Sequence, residues 1–188
     1  MMIRTAGPAT FSLQEERFEQ LFHATYRDVL AFTLRRLSDR ASADDVVSET
    51  FVVAWRRFEQ VPADPSEALL WLYRVAQYGV LNAERGMRRR ATLRDRLRTT
   101  VPVTALDGQR VVALDDEAES LARAFATLPE DDRTILLLSA WEGLRPAQIA
   151  SVLGCSSGAA ATRLSRARTR FEQAVSSGDE AAHIEDDR

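Results

Sequence analysis

Apolar side chains recur at intervals of three and four residues along most of the chain. The first such run predicts an amphipathic helix over residues 13–37, which Ser12 and Glu15 open as a capping box. A second run predicts a helix that begins at the capping signal of Ser42 and Asp45 and ends near Arg57. Each helix therefore has one face suited to a core.

A third helix is predicted after the stretch EQVPADPSE, because its two prolines forbid a continuous helix and Ser66 can cap a new one. Its apolar stripe comprises Leu69, Leu72, Tyr73, Ala76 and Val80. No segment alternates between apolar and polar residues for long enough to predict a sheet. The pattern therefore predicts a helical bundle over residues 12–98.

The second half of the chain predicts a separate helical unit. Residues 99–115 mix Pro, Gly and Thr without helical period and indicate a linker, whereas helical spacing resumes at residue 116 and breaks at Pro129. Residues 176–188 are acidic and predict a disordered tail. The fold class is thus all-α: two small helical domains, 12–98 and 116–175, joined by a flexible linker.

Residues 146–171 have the layout of a helix-turn-helix. A short helix over Pro146–Leu153 is followed by Gly154, which suits a left-handed turn, and by a second helix that opens near Ser157. At about 100° per residue, the second helix has an apolar stripe and an opposite polar face. The stripe holds Ala160, Leu164, Ala167, Phe171 and Val175, and the opposite face holds Thr162, Arg163, Arg166, Thr169 and Arg170. Such a face suits a major groove, but a basic surface helix of an ordinary bundle has the same pattern.

Composition narrows the function classes. The chain has 188 residues, a net charge of −3 and one cysteine, so no intramolecular disulfide can form and a reducing compartment is expected. No apolar run approaches the ~20 residues of a membrane span, and the first residues lack the apolar core of a signal peptide. We therefore expect a cytoplasmic protein without membrane insertion.

Catalytic chemistry finds little support in the sequence. His23 and His183 are the only histidines, and neither has a ligand partner at metal-site spacing. No phosphate-binding glycine loop is present. We expect no enzyme activity, cofactor, metal or small-molecule substrate. The arginines instead gather in two patches, at residues 84–98 and 163–170, which suggest two places where phosphate could bind.

Four stretches together resemble the successive regions of a bacterial sigma factor of the sigma-70 family, extracytoplasmic-function group. They are DDVVSETFVVAWRRF from Asp44, WLYRVAQYGVLNAERGMRRR from Trp71, LPEDDRTILLLSAWEGLRPAQIASVLG from Leu128, and TRLSRAR from Thr162. They occur in the family's order and extend over most of residues 12–175. The combination is more specific than the helix-turn-helix alone.

The resemblance implies a subunit that binds core RNA polymerase and directs it to promoter DNA. The first domain would dock on the clamp of the largest subunit and capture the melted −10 element, and the second would sit at the flap and read the −35 element. The implied polymerase-binding residues are Asp44, Asp45, Ser48 and Glu49. Those implied for the −10 element are Arg74, Asn82, Arg85, Arg88 and Arg89, and those for the −35 element are Thr162, Arg163, Ser165, Arg166, Arg168 and Arg170.

Further expectations follow from the resemblance. The loop over residues 59–66 would receive a flipped-out base, and an anti-sigma partner would hold the protein inactive. This chain departs from the common pattern at Ser48, at Gln77 and Tyr78, and at residues 159–161, where three alanines replace larger side chains. The promoter sequence it reads is expected to differ accordingly. The alternative is a stand-alone helix-turn-helix regulator that binds an operator as a dimer.

Overall fold

A computed structural model describes the backbone of residues 8–97 and 116–186 and the side chains of residues 13–89 and 118–177. The described backbone is helical and belongs to two compact units, one within Met1–Thr100 and one within Val101–Arg188. This confirms the all-α fold class. The linker predicted over residues 99–115 lies outside the described residues.

The described residues of the first unit, 8–97, contain three long helices and one short 3₁₀ turn. Its elements are α1 (Pro8–Leu34), α2 (Arg40–Arg56), the 3₁₀ turn Phe58–Gln60 and α3 (Pro65–Leu97). All three helices pack against one another around Phe32 and Leu72, which are fully buried. The ring of Phe32 stacks on Tyr73 with 4.7 Å between the centroids. A second aromatic cluster joins Phe18 to Trp55 at 5.1 Å. Of the stripe predicted for α3, four residues are buried: Leu72, Tyr73, Ala76 and Val80.

The starts of these helices differ from the predicted ones. Helix α1 already runs from Pro8, so Ser12 does not open it. Asp39, not Ser42, caps α2: its carboxylate accepts hydrogen bonds from the amides of Ala41 and Ser42 and from the Ser42 hydroxyl. The hydrogen bond from the Ser42 hydroxyl is the main reason why the pKa of Asp39 lies below its usual value. Helix α2 therefore begins about one turn before the predicted capping box.

The cap of α3 is also an aspartate. The Asp64 carboxylate accepts from the amides of Ser66 and Glu67 at 2.9 and 3.0 Å and from the Ser66 hydroxyl. The hydrogen bond from that hydroxyl is the first cause that lowers the pKa of Asp64. Ser66, the predicted cap, thus lies inside the helix and donates to the true cap, while Pro65 occupies the first helical position that proline favours.

In the second unit, the part of the chain that the structure describes, 116–186, contains four helices: α4 (Asp116–Thr127), α5 (Glu130–Ala140), α6 (Pro146–Leu153) and α7 (Ser157–Asp186). Helix α7 packs against the other three. Ile135, Leu138 and Ile149 are fully buried at the centre, and the ring of Phe125 meets that of Phe171 at 6.1 Å. Pro129 lies between α4 and α5, where the sequence predicted a break.

The C-terminal end of α7 departs from the sequence interpretation. The structure continues this helix to Asp186, whereas residues 176–188 were predicted to be a disordered tail. None of the helices in residues 8–97 and 116–186 combines the length and apolar character that crossing a bilayer requires.

Candidate nucleic-acid interface

The turn between α6 and α7 is built by three local signals. Pro146 begins α6, Gly154 ends it with φ 67° and ψ 38°, and the Ser156 hydroxyl accepts from the Ala159 amide at 3.2 Å. The Gly154 and Cys155 amides both donate to the Ala150 carbonyl. Glycine adopts that left-handed conformation without the cost that a Cβ atom brings. Two helices with a tight turn result, as the sequence predicted.

Helix α7 has one packed face and one exposed face. Ala160, Leu164 and Ala167 are buried against the unit's other helices. The exposed side chains include four residues predicted to read the −35 element: Thr162, Arg163, Ser165 and Arg166. The Thr162 hydroxyl bonds to the Gly158 carbonyl within the helix. Within the described residues, the guanidinium groups of Arg163 and Arg166 make no hydrogen bond or ion pair, so their donors are available.

Two other arginines of α7 are bound to α5. Arg168 donates to the Ser139 hydroxyl at 3.1 Å, and Arg170 donates to the Asp132 carboxylate at 2.6 Å. Asp132 is 8% exposed, so its negative charge has little access to solvent. Sequence reasoning missed this pair, because 38 residues separate its members and nothing local marks it. The arginines of α7 therefore divide into an outward pair and a tethered pair.

A polar face also runs along α3. At about 100° per residue, Arg74, Asn82, Arg85 and Arg89 fall within roughly a quarter of the helix circumference, and all four are exposed. The Asn82 side-chain oxygen accepts from Arg85 at 3.2 Å. Arg88 lies at the edge of this face and pairs with Glu84 at 3.9 Å. The residues predicted for the −10 element thus share one side of the helix.

The acidic residues of α2 form a third surface. Asp45, Ser48 and Glu49 are exposed on one side of the helix. Asp44 is half-buried at its edge, pairs with Arg40 at 3.6 Å, and accepts from the Ser48 hydroxyl through its backbone carbonyl. A groove of about 280 Å³ between α2 and α3 is lined by Asp45, Glu49, Asn82 and Gly86, among others. The acidic surface of α2 and Asn82 of the polar face of α3 therefore border one groove.

Gly79 fixes the close approach of α3 to α2. A Cβ atom added to it would lie 2.8 Å from Cγ1 of Val46, a buried side chain of α2. A second cavity, of about 230 Å³, lies between α1 and the loop that contains Val61 and Pro62. This loop is the one predicted to receive a flipped base. Among the described residues, no group of three acidic, histidine or cysteine side chains could hold a metal ion.

Known protein families match both units. The profile of sigma-70 region 2 matches residues 21–91, and that of sigma-70 region 4 matches residues 118–171. The ECF RNA polymerase sigma factor SigC of Mycobacterium tuberculosis is 34% identical over 150 residues, which cover 80% of this chain and 78% of that protein. The chain is a sigma factor of the sigma-70 family, extracytoplasmic-function group. Sigma factors are generally non-enzymatic factors of transcription initiation.

Two further similarities place the sigma factor among its relatives. It is 30% identical over 158 residues to the probable RNA polymerase sigma factor RfaY of Xanthomonas campestris, covering 82% of this chain but only 39% of that longer protein. The sigma factor RpoE of Bartonella quintana, solved in complex with the anti-sigma factor NepR, superposes with a TM-score of 0.63 at 22% identity. That match covers 86% of this chain and 98% of the other and shows a shared fold.

These matches bear on the alternative interpretation. A stand-alone regulator needs only a helix-turn-helix, whereas this sigma factor matches region 2 as well as region 4. The stand-alone dimeric regulator is therefore not favoured. The family match does not identify the side chains that contact DNA or the polymerase. The geometry of the three surfaces indicates candidates for these contacts.

Proposed function

We propose that this sigma factor directs core RNA polymerase to promoters through three separate surfaces. The outer face of α7 reads the −35 element, the polar face of α3 holds the melted −10 element, and the acidic surface of α2 binds the polymerase. The observation that carries the proposal is the pair Arg163 and Arg166, exposed and without a partner in the described chain, on the second helix of a helix-turn-helix. The chain has no catalytic role in this proposal.

On α7, the outward and tethered arginines take different parts. A free guanidinium can make a paired contact with the O6 and N7 atoms of guanine, which Arg163 and Arg166 are placed to do. Thr162 and Ser165 are exposed beside them and can add hydroxyl contacts. Arg168 and Arg170 each bond to α5 through one nitrogen, and we assign their remaining donors to phosphate or polymerase contacts. The alanines at 159 and 161 keep the start of the helix narrow and remove contacts that larger side chains would make.

On α3, the arginines suit backbone contacts. Arg74, Arg85 and Arg89 present positive charge along one side of the helix, and phosphate contacts position DNA without reading its sequence. The Asn82 amide can address a base edge once its bond to Arg85 is released. The cavity beside Val61 and Pro62 is the proposed receptor for a flipped base.

On α2, the carboxylates on one side of the helix can bind a basic protein surface. Asp45 and Glu49 are exposed, and neither has a hydrogen bond or ion pair within the described residues, so both are available to the polymerase clamp. The flap would hold the second unit. An anti-sigma protein, of the kind present in the complex of the Bartonella relative, is the proposed inhibitory partner. These roles place the chain in the cytoplasm with the polymerase.

A charge-reversal variant tests the polymerase surface. The wild-type chain should bind core RNA polymerase in a pull-down and support specific run-off transcription, whereas Glu49→Arg should lose most binding because like charges then meet. Glu19→Arg reverses another exposed acid, on α1, and serves as the matched control that should bind normally. Failure of the wild-type chain to bind polymerase would overturn the proposal.

A further inference from the structure

Two hydrogen bonds, which we call the tethers, join α7 to α5. Arg168 donates to the Ser139 hydroxyl at 3.1 Å, and Arg170 donates to the Asp132 carboxylate at 2.6 Å. Two residues along a helix correspond to about 200° of rotation, so the two arginines leave α7 about 160° apart. On α5, Asp132 and Ser139 are seven residues apart, which places them about two turns apart on one side of the helix. The tethers therefore lie on either side of the packed contact between the two helices.

The packed face of α7 resists rotation of the helix about its own axis only weakly. Of the buried residues described on this face, Ala160 and Ala167 carry a methyl group alone, and Leu164 is larger. Burial of apolar surface is non-directional, so it holds α7 against its neighbours without fixing the rotation. Hydrogen bonds weaken steeply when their distance and angle change, and one on each side opposes rotation in both directions. The tethers thus supply the directional part of the contact.

We propose that Asp132 and Ser139 are positioning residues, which hold α7 in the rotation that presents its two outward arginines to the bases. The inference rests on the proposed reading role of α7. Paired contacts to guanine are directional, and a binding site has to be held within about 10–20° of its productive orientation. While one tether remains, it still opposes rotation, so Arg170→Ala alone should leave the sequence preference in place. Loss of both tethers should weaken base reading and leave phosphate contacts.

The test removes both tethers and leaves every residue of α7 unchanged. Reconstituted holoenzyme containing the full chain with Asp132→Ala and Ser139→Ala transcribes a promoter library with a randomised −35 element, in which a transcribed barcode marks each promoter. The preference for guanine that depends on Arg163 should fall about fivefold in this double variant. A second library, randomised at the −10 element, should show the wild-type preference because α3 is unchanged. Where the alanine pair does not fold, Asp132→Leu with Ser139→Ala keeps the first site filled.

Two control variants separate positioning from stability. Asp132→Asn with Ser139→Thr keeps an oxygen acceptor at both positions and should keep the preference. Ile135→Val removes a methylene at a fully buried site of α5 without touching either tether, and it should lower transcription from all promoters alike. An equal loss of preference in Ile135→Val, or an equal loss at the −10 element in the double variant, would mean general instability and overturn the inference.

Arg163→Ala separates the inference from the proposal on which it rests. If Arg163→Ala loses the guanine preference but the double alanine variant keeps it, the positioning inference is wrong and the reading role of α7 stands. If Arg163→Ala keeps the wild-type preference, the proposed reading role is itself wrong.

Discussion

The two basic helices of this sigma factor use arginine in different ways. On α7, Arg163 and Arg166 project outward, while Arg168 and Arg170 bond to α5. On α3, the polar face carries arginines at intervals along the helix, and one of them, Arg85, bonds to Asn82 on the same helix. By composition alone, the two basic patches are equivalent. Their contacts within the protein suggest instead that α7 recognises bases, whereas α3 binds the backbone of a single strand.

The difference arises from what lies opposite each face. Helix α7 packs against α4, α5 and α6. Only part of its circumference is therefore available to DNA, and some of its arginines contact a neighbouring helix. Asp132 of α5 is the clearest case, since its carboxylate is nearly buried and needs a cation. An arginine on a helix surface can therefore be free to bind DNA or can hold two helices together. Which of the two it does depends on whether a neighbouring helix presents an acceptor to it.

The largest expected effect separates the two patches by sequence dependence. Arg163→Ala should cost about 2 kcal/mol, about thirtyfold in binding, on promoters with guanine at the contacted position and little on others. Arg85→Ala should weaken all promoters by a similar, smaller factor and reduce the dependence of log K on log salt by about 0.7 for a single-stranded contact. Sequencing the RNA made by each reconstituted holoenzyme from genomic DNA measures both patterns.

A lysine variant sharpens this comparison. Arg163→Lys keeps the charge but loses the planar fork that pairs with guanine, so it should resemble Arg163→Ala on guanine promoters. Equal losses across every upstream element for Arg163→Ala and Arg85→Ala would mean that α7 binds phosphate without reading bases.

A smaller effect is expected for the tethered arginine. Arg170→Ala should destabilise the second unit by about 1.5 kcal/mol, because it leaves the Asp132 carboxylate nearly buried and unpaired, although the Arg170 side chain is itself 54% exposed. Hydrogen exchange in peptides of α5 and α7 should accelerate, while peptides of α1–α3 serve as the internal control. Transcription from all promoters should fall alike.

A double-mutant cycle with Asp132→Ala checks the cause. If the pair is responsible, the double variant should lose less than the sum of the two single variants. Strictly additive losses would show that Arg170 acts through some other contact, such as phosphate.

Local signals were read correctly at the helix-turn-helix but not at the starts of α1, α2 and α3, and partners distant in sequence were missed. Pro146, Gly154 and Ser157 marked the helix-turn-helix at the boundaries that the structure has, because proline, glycine and serine act on the backbone beside them. The start of α2 was misplaced because Asp39 and Ser42 are both good caps, and the structure uses Asp39. The Arg170–Asp132 pair required the tertiary structure. The roles of individual side chains toward DNA remain predictions.

The smallest expected effect concerns two glycines of α3. Gly86 has open space where a Cβ would lie, so Gly86→Ala should stabilise the first unit by about 1 kcal/mol through helix propensity. Gly79→Ala gains the same propensity but brings a Cβ to 2.8 Å from Val46, and overpacking should reverse the sign and cost about 1 kcal/mol net. The two variants make the same chemical change on the same helix.

Urea unfolding in a Trp141→Phe background measures the difference, because Trp55 and Trp71 then report on the first unit alone. Trp141 is largely exposed, so its replacement should leave the second unit folded. If Gly79→Ala were as stabilising as Gly86→Ala, the close approach of α2 and α3 would not constrain the bundle. The position of the acidic surface of α2 beside the polar face of α3 would then depend on contacts other than the one between Gly79 and Val46.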